Sequence, residues 1–106
     1  MNSQTQEKVG QIQLLEQNMQ QILAQKHAYQ TQLFETETAI AEIAKTTKPY
    51  KIIGNIMVES DKEELKKELE QKKSIIEIRM QTIEKQENQI KERTKKIQEE
   101  VMKELK

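Results

Sequence analysis

Apolar residues in the first part of the chain recur at alternating steps of three and four: Ile12, Leu15, Met19, Ile22, Tyr29, Leu33, Ile40 and Ile43, with Lys26 and Thr36 filling the two remaining steps. That alternation is the seam of a heptad pattern and predicts one long helix over about residues 5–45. The opposite face is polar and glutamine-rich, with Gln13, Gln17, Gln20 and Gln21. Asn2, Ser3 or Thr5 are candidate caps, Ser3 with Gln6 having capping-box spacing. Gly10 near that start favours fraying. A second series, Leu69, Ile76, Ile83, Ile90 and Ile97, repeats at steps of seven and predicts another helix over about 61–105. Its second seam row reads as mostly polar, Lys72, Arg79, Gln86 and Arg93, relieved in part by Leu65 and Met80. Ser60 with Glu63, or Asp61 with Glu64, marks the helix start, and acids there suit the helix dipole.

Between the two periodic stretches the texture changes. Pro49 lacks a backbone donor and restricts Lys48 before it, so the first helix stops there. The run Tyr50 to Glu59 then carries two short β-branched stretches separated by Gly54-Asn55. Gly first in a two-residue loop suits a type II′ turn, which places Ile53 opposite Ile56 and Ile52 opposite Met57 in a β-hairpin over 46–60. Each helix has about 40 residues and spans about 60 Å. Two helices of equal length around a short connection form an antiparallel pair. Matching Ile43 with Leu65 brings Ile40 to Leu69, Leu33 to Ile76, Met19 to Ile90 and Ile12 to Ile97. Lys26 opposite Ile83 is the one poor match.

A lone two-stranded hairpin is marginal in water and has exposed edges. This one is apolar on both faces, with Ile53, Ile56 and Val58 on one and Ile52, Met57 and Tyr50 on the other. The fold class expected is therefore mostly α: a single domain over 1–106, an antiparallel two-helix coiled-coil hairpin whose short β-hairpin assembles with those of other chains into an intersubunit β-barrel.

Composition narrows the function. The chain has 106 residues, 34% charged and only 3% aromatic, which leaves too few large apolar side chains for an ordinary globular core. Its abundance of Glu, Lys, Gln and Leu favours helix. Basic and acidic residues balance at 18 each, so a nucleic-acid-binding basic face has no support. There is no cysteine and one histidine, His27, which falls just after the seam and reads as a solvated side chain. A zinc site would need unusual carboxylate ligation, and no cofactor is expected. No phosphate-cradling loop or nucleophile motif occurs, and Ser60 reads as a helix cap, so no enzyme is expected. The polar start, Met1 to Gly10, lacks the apolar core of a signal peptide, and no stretch is long and apolar enough for a membrane span. The expectation is a cytoplasmic protein without membrane or nucleic-acid partners.

The antiparallel arrangement brings both chain ends together, where apolar residues exceed what the seam needs. Val9, Ile12 and Leu14 near the start, and Val101, Met102 and Leu105 near the end, are candidates for contact with nonnative chains. The alternative is that they extend the helix pairing or are scattered exposed groups. Lys45, Lys48 and Lys51 form a basic cluster near the hairpin, read as a solvated patch or an intersubunit ion-pairing site.

Helix, single β-hairpin, helix, in just over 100 residues, resembles the beta-type subunit of prefoldin. The stretch Tyr50-Lys51-Ile52-Ile53-Gly54-Asn55-Ile56-Met57-Val58 resembles the hairpin region of that family. Asp61 to Leu69 is similar to its second-helix start, and Arg79 to Glu87 to a run within that helix. The resemblance implies an ATP-independent chaperone subunit of an archaeal hetero-hexamer, with an alpha-type subunit and further beta copies as partners. It implies hairpins gathered into β-barrels, coiled-coil tips that bind unfolded clients, and delivery to a group II chaperonin. The alpha type carries two hairpins per chain, and this sequence has room for one. Two other readings of the same pattern are a structural or tethering coiled coil without chaperone activity and a subunit that docks one native partner.

Overall fold

The computed structural model describes residues 2–105. Helix α1 spans Ser3–Ala44, strand β1 Tyr50–Ile53, strand β2 Ile56–Glu59 and helix α2 Lys62–Leu105. Asn2 caps α1, its Oδ1 accepting the Thr5 amide at 2.8 Å. At the other end the last turn tightens, with the Lys45 and Thr46 amides donating to the Glu42 and Ile43 carbonyls. Of the two capping boxes expected for α2, the structure uses Asp61, whose Oδ2 accepts the Glu64 amide at 3.2 Å. Glu63 and Glu64 lie in that first turn, where the helix dipole favours them.

The strands pair antiparallel in the expected register, Ile53 with Ile56 and Ile52 with Met57, continuing to Lys51 with Val58 and Tyr50 with Glu59. Gly54 has φ of 61° and Asn55 is not in the positive-φ region. That sign pattern is the type II′ turn, whose twist matches the strands. A further bond from the Ser60 amide to the Pro49 carbonyl, 3.0 Å, closes the base of the hairpin.

The chain divides into two compact units. One comprises Tyr29–Met80: the C-terminal part of α1, the β-hairpin and the N-terminal part of α2. Its core is a seam in which Thr36, Ile43, Leu65 and Ile76 are buried, and Tyr29, Leu33, Ile40 and Leu69 are half-buried. Thr36 satisfies its hydroxyl within the helix by donating to the Gln32 carbonyl at 2.7 Å. Across the helices Lys73 meets Glu37 at 3.7 Å. Ile76 is the most buried large side chain, 2% exposed. Ile76→Ala is expected to destabilise the chain by about 2–5 kcal/mol, toward the lower figure because a two-helix seam can partly close over the gap. The midpoint of urea unfolding, followed by helical circular dichroism, checks this.

The other unit runs through Ala28 of α1 and from Gln81 of α2. Ile83, Ile97 and Val101 are its buried apolar residues. Ile12, Leu15, Met19, Ile22 and Ile90 are half-buried beside them. Among the described residues of this unit two polar ones are also buried, Thr5 and Glu87.

The second seam row of α2 differs from the expected one. Lys72, Arg79, Gln86 and Arg93 are exposed, whereas Lys73, Met80 and Thr94 are half-buried and Glu87 and Val101 buried. A heptad leaves open whether the row follows the isoleucines by three residues or by four. Burial decides for four, because that choice places Met80 and Val101 in the seam and leaves both arginines in water. Lys26, the poor match of the sequence pattern, finds a counter-ion in this row. Its Nζ lies 3.2 Å from Oε1 and 3.3 Å from Oε2 of Glu87.

Candidate functional site

Two surfaces stand out, one in each unit. The first is the hairpin. Its strands alternate apolar side chains to both faces, and among the described residues both faces are left largely exposed. Tyr50, Ile52, Ile53, Ile56, Met57 and Val58 are all exposed, from 42% at Val58 to 70% at Ile52. Six large side chains left in water among eight strand residues form a patch that single folded chains rarely leave open. Lys51 ties the hairpin to α2 through Glu68, 3.0 Å away. Lys62 of α2 in turn donates to the Ala44 carbonyl at the end of α1, 3.4 Å. Of the basic cluster, Lys51 is therefore engaged within the chain. An open groove of about 420 Å³ continues from Tyr50 over Pro49, Ile43, Leu65 and Leu69, so the apolar surface extends from the strands onto the helices beside them.

The second surface lies where α1 begins and α2 ends. Of the six residues the sequence pattern singled out there, Leu14, Met102 and Leu105 are 57–59% exposed. Val9 and Ile12 are half-buried. Val101 departs from that expectation: it is buried, at 9% exposure. It occupies the seam position four residues after Ile97, so its methyl groups close the helix pairing and are not open to a partner. The sequence pattern also missed the polar contacts that hold these ends together. The Lys8 ammonium pairs with Glu104 and lies 3.6 Å from Glu100. The Thr5 hydroxyl lies 2.6 Å from Glu104 Oε2 and 2.9 Å from Asn2 Oδ1. One proton cannot serve both, and the shorter contact to the charged oxygen is the stronger. The available signal was the pairing of a capping residue and a lysine in the first turns with acids in the last ones.

The Lys8 ammonium and the Thr5 hydroxyl hold the Glu104 carboxyl below its ordinary pKa, and Glu104 holds Lys8 above its own. A depressed carboxyl stabilises the folded state fully above its unfolded pKa, about 4.3, and loses that contribution as pH falls through the lower folded value. A raised lysine contributes below its unfolded pKa and loses the contribution as pH rises through the higher folded one. The helix ends are therefore expected to fray in acid below about pH 4. Hydrogen exchange of the Glu100 to Leu105 amides should show this, and the acid dependence should shrink in Glu104→Gln.

Among the described residues no cluster of His, Cys, Asp or Glu could hold a metal ion, and His27 is exposed. No described helix is long and apolar enough to cross a membrane. The two surfaces offer shape and apolar area rather than reactive groups.

Known proteins share this arrangement. Residues 6–106 match the family described as Prefoldin subunit. The chain is 40% identical over 93 residues to prefoldin subunit beta of Archaeoglobus fulgidus, covering 85% of this chain and 80% of that one. It is 33% identical over 105 residues to the beta subunit of Methanothrix thermoacetophila, covering 96% and 88%. It superposes on the crystal structure of the prefoldin beta subunit from Thermococcus strain KS-1 with a TM-score of 0.93, at 28% identity, covering 99% of this chain and 95% of that one. Two long helices around a single exposed hairpin, with these relatives along nearly the whole chain, place it in a family of chaperone subunits that form hetero-oligomers: the chain belongs to the prefoldin family and is of its beta type.

Proposed function

We propose that this chain is an ATP-independent chaperone subunit that holds unfolded proteins at the paired ends of its helices and passes them to a group II chaperonin. The observation that carries the reading is the uncovered hairpin, apolar on both faces, on a chain whose helices already satisfy one another. Its natural cover is the hairpins of other subunits, an alpha-type partner and further beta copies, joined into a β-barrel in a hetero-hexamer in the cytoplasm. Leu14, Met102 and Leu105, with Val9 and Ile12 beside them, supply the client contacts. Each contact is weak, and several subunits in one assembly multiply them through effective concentration, so a client is held at many points and released without nucleotide hydrolysis.

The test is light scattering of a chemically denatured protein diluted into buffer without nucleotide, in the presence of this chain alone and of its assembly with an alpha-type partner. Aggregation is expected to be suppressed, and more strongly by the assembly. No suppression by a verified assembly would favour the other reading, a structural or tethering coiled coil.

A further inference from the structure

The seam pair of half-buried Lys26 and buried Glu87 bears on partner choice among helices. Glu87 is 5% exposed and its carboxylate is bonded to Lys26, with the Lys91 ammonium at 3.6 Å. Around it the seam is formed by Ile83, Ile90, Ile97 and the apolar residues of α1, among them Ile12, Met19 and Ile22. A seam of isoleucines repeating every seven residues is nearly indifferent to a slip of one heptad, and nearly as willing to pair with a copy of itself. In a setting where several such chains are brought together, that indifference matters.

We infer that Lys26 and Glu87 act as the specificity determinant that directs α1 to pair with α2 of its own chain, antiparallel and in this register. Charge at a single seam level separates the possible pairings. Two copies of α1 pairing in parallel would bury Lys26 against Lys26, and two copies of α2 would bury Glu87 against Glu87. A slip of seven residues from the observed bond would set Lys26 against Thr94 or Met80, and Glu87 against Leu33 or Met19. Each alternative keeps most of its isoleucine contacts but takes from Lys26 its counter-ion and leaves Glu87 only the more exposed Lys91 of its own helix, which is unfavourable at a seam position. The observed pairing joins the opposite charges, and none of these alternatives does. An exchange of helices between two chains would keep the pair intact, so the pair does not exclude it; the short connection through the hairpin opposes that exchange. The device discriminates rather than stabilises, because an apolar pair at the same level would pack without the desolvation of two charges.

The inference concerns helix pairing and stands whether or not the chain holds clients. Its test uses the full chain with a pyrene label on Gln98→Cys, an exposed site on α2 in a sequence that has no cysteine of its own. Pyrene excimer forms when two α2 helices pair in parallel. K26L/E87L is expected to match or exceed the unmodified seam in thermal midpoint and to raise excimer emission several-fold. The charge-reversed K26E/E87K is expected to stay at the baseline. A leucine pair at baseline, or a charge reversal that rises with it, would overturn the inference. Should the leucine variant aggregate, the single variants decide. K26E and E87K should each lower the thermal midpoint by several degrees and the double reversal should recover most of it; failure to recover would also sink the assignment.

Discussion

Replacing Ile53 or Ile56 with aspartate is expected to abolish assembly while leaving the helices of each chain intact. Ile53 and Ile56 face one another across the hairpin and are 56% and 67% exposed in the single chain. A charge there therefore meets water when the chain is alone, and helical circular dichroism should be unchanged. In a shared sheet the same carboxylate would be buried without a partner, and each variant also loses the roughly 1.5–3 kcal/mol that burying an isoleucine contributes. A combined loss of about 4 kcal/mol per contact weakens association roughly a thousandfold. The penalty recurs in every beta copy of the assembly. Native mass spectrometry with an alpha-type partner should show free subunits in place of the assembly. Ile52→Asp, on the opposite face, provides the comparison that says which face turns inward, since the variant on the more enclosed face loses more. An assembly that survives aspartate on both faces would remove the hairpin from the interface.

The second large effect is expected at the helix ends. The triple substitution of Leu14, Met102 and Leu105 by glutamine should leave assembly and thermal stability unchanged but weaken client capture. All three are more than half exposed, so their loss opens no cavity. In the proposed assembly several subunits grip one client, so a modest loss per contact multiplies, and apparent affinity should fall by about one to two orders of magnitude. Aggregation suppression as a function of chaperone concentration reads this directly. Deleting the last residues from Val101 onward is a poorer test. It removes a buried seam residue and the Glu104 contacts together with the exposed side chains, so lost capture could not be separated from frayed helices. Unchanged capture by the triple variant would move the client surface elsewhere on the chain.

The architecture was legible in the sequence because it rests on local rules. Heptad spacing marked both helices, Pro49 marked the stop, Asp61 was one of two caps named, and Gly54-Asn55 specified the turn and with it the whole strand register. The seam of α1 was readable residue by residue, since one row of alternating threes and fours was apolar throughout apart from Lys26 and Thr36. Exposure was legible in part as well: all six hairpin residues are exposed, and so are three of the six at the helix ends.

What periodicity alone left undecided was the second row of α2. Lys72 and Lys73, Arg79 and Met80, Gln86 and Glu87, Arg93 and Thr94 stand side by side in the sequence, and a helix turns through only 100° between them. Which member of each couple faces α1 depends on what α1 presents at that level, and that is known only when the two helices are docked. Docking buried Val101 and so removed it from the exposed set. It gave Lys26 a counter-ion in Glu87 and joined Lys8 and Thr5 to Glu104 across nearly the full length of the chain in sequence. The elements and their order follow from the residues themselves, because helix period, caps and turn chemistry act over a few residues. The choice of which charges are paired and which apolar groups are left for a partner follows from the tertiary structure, because it is a property of two surfaces and not of one.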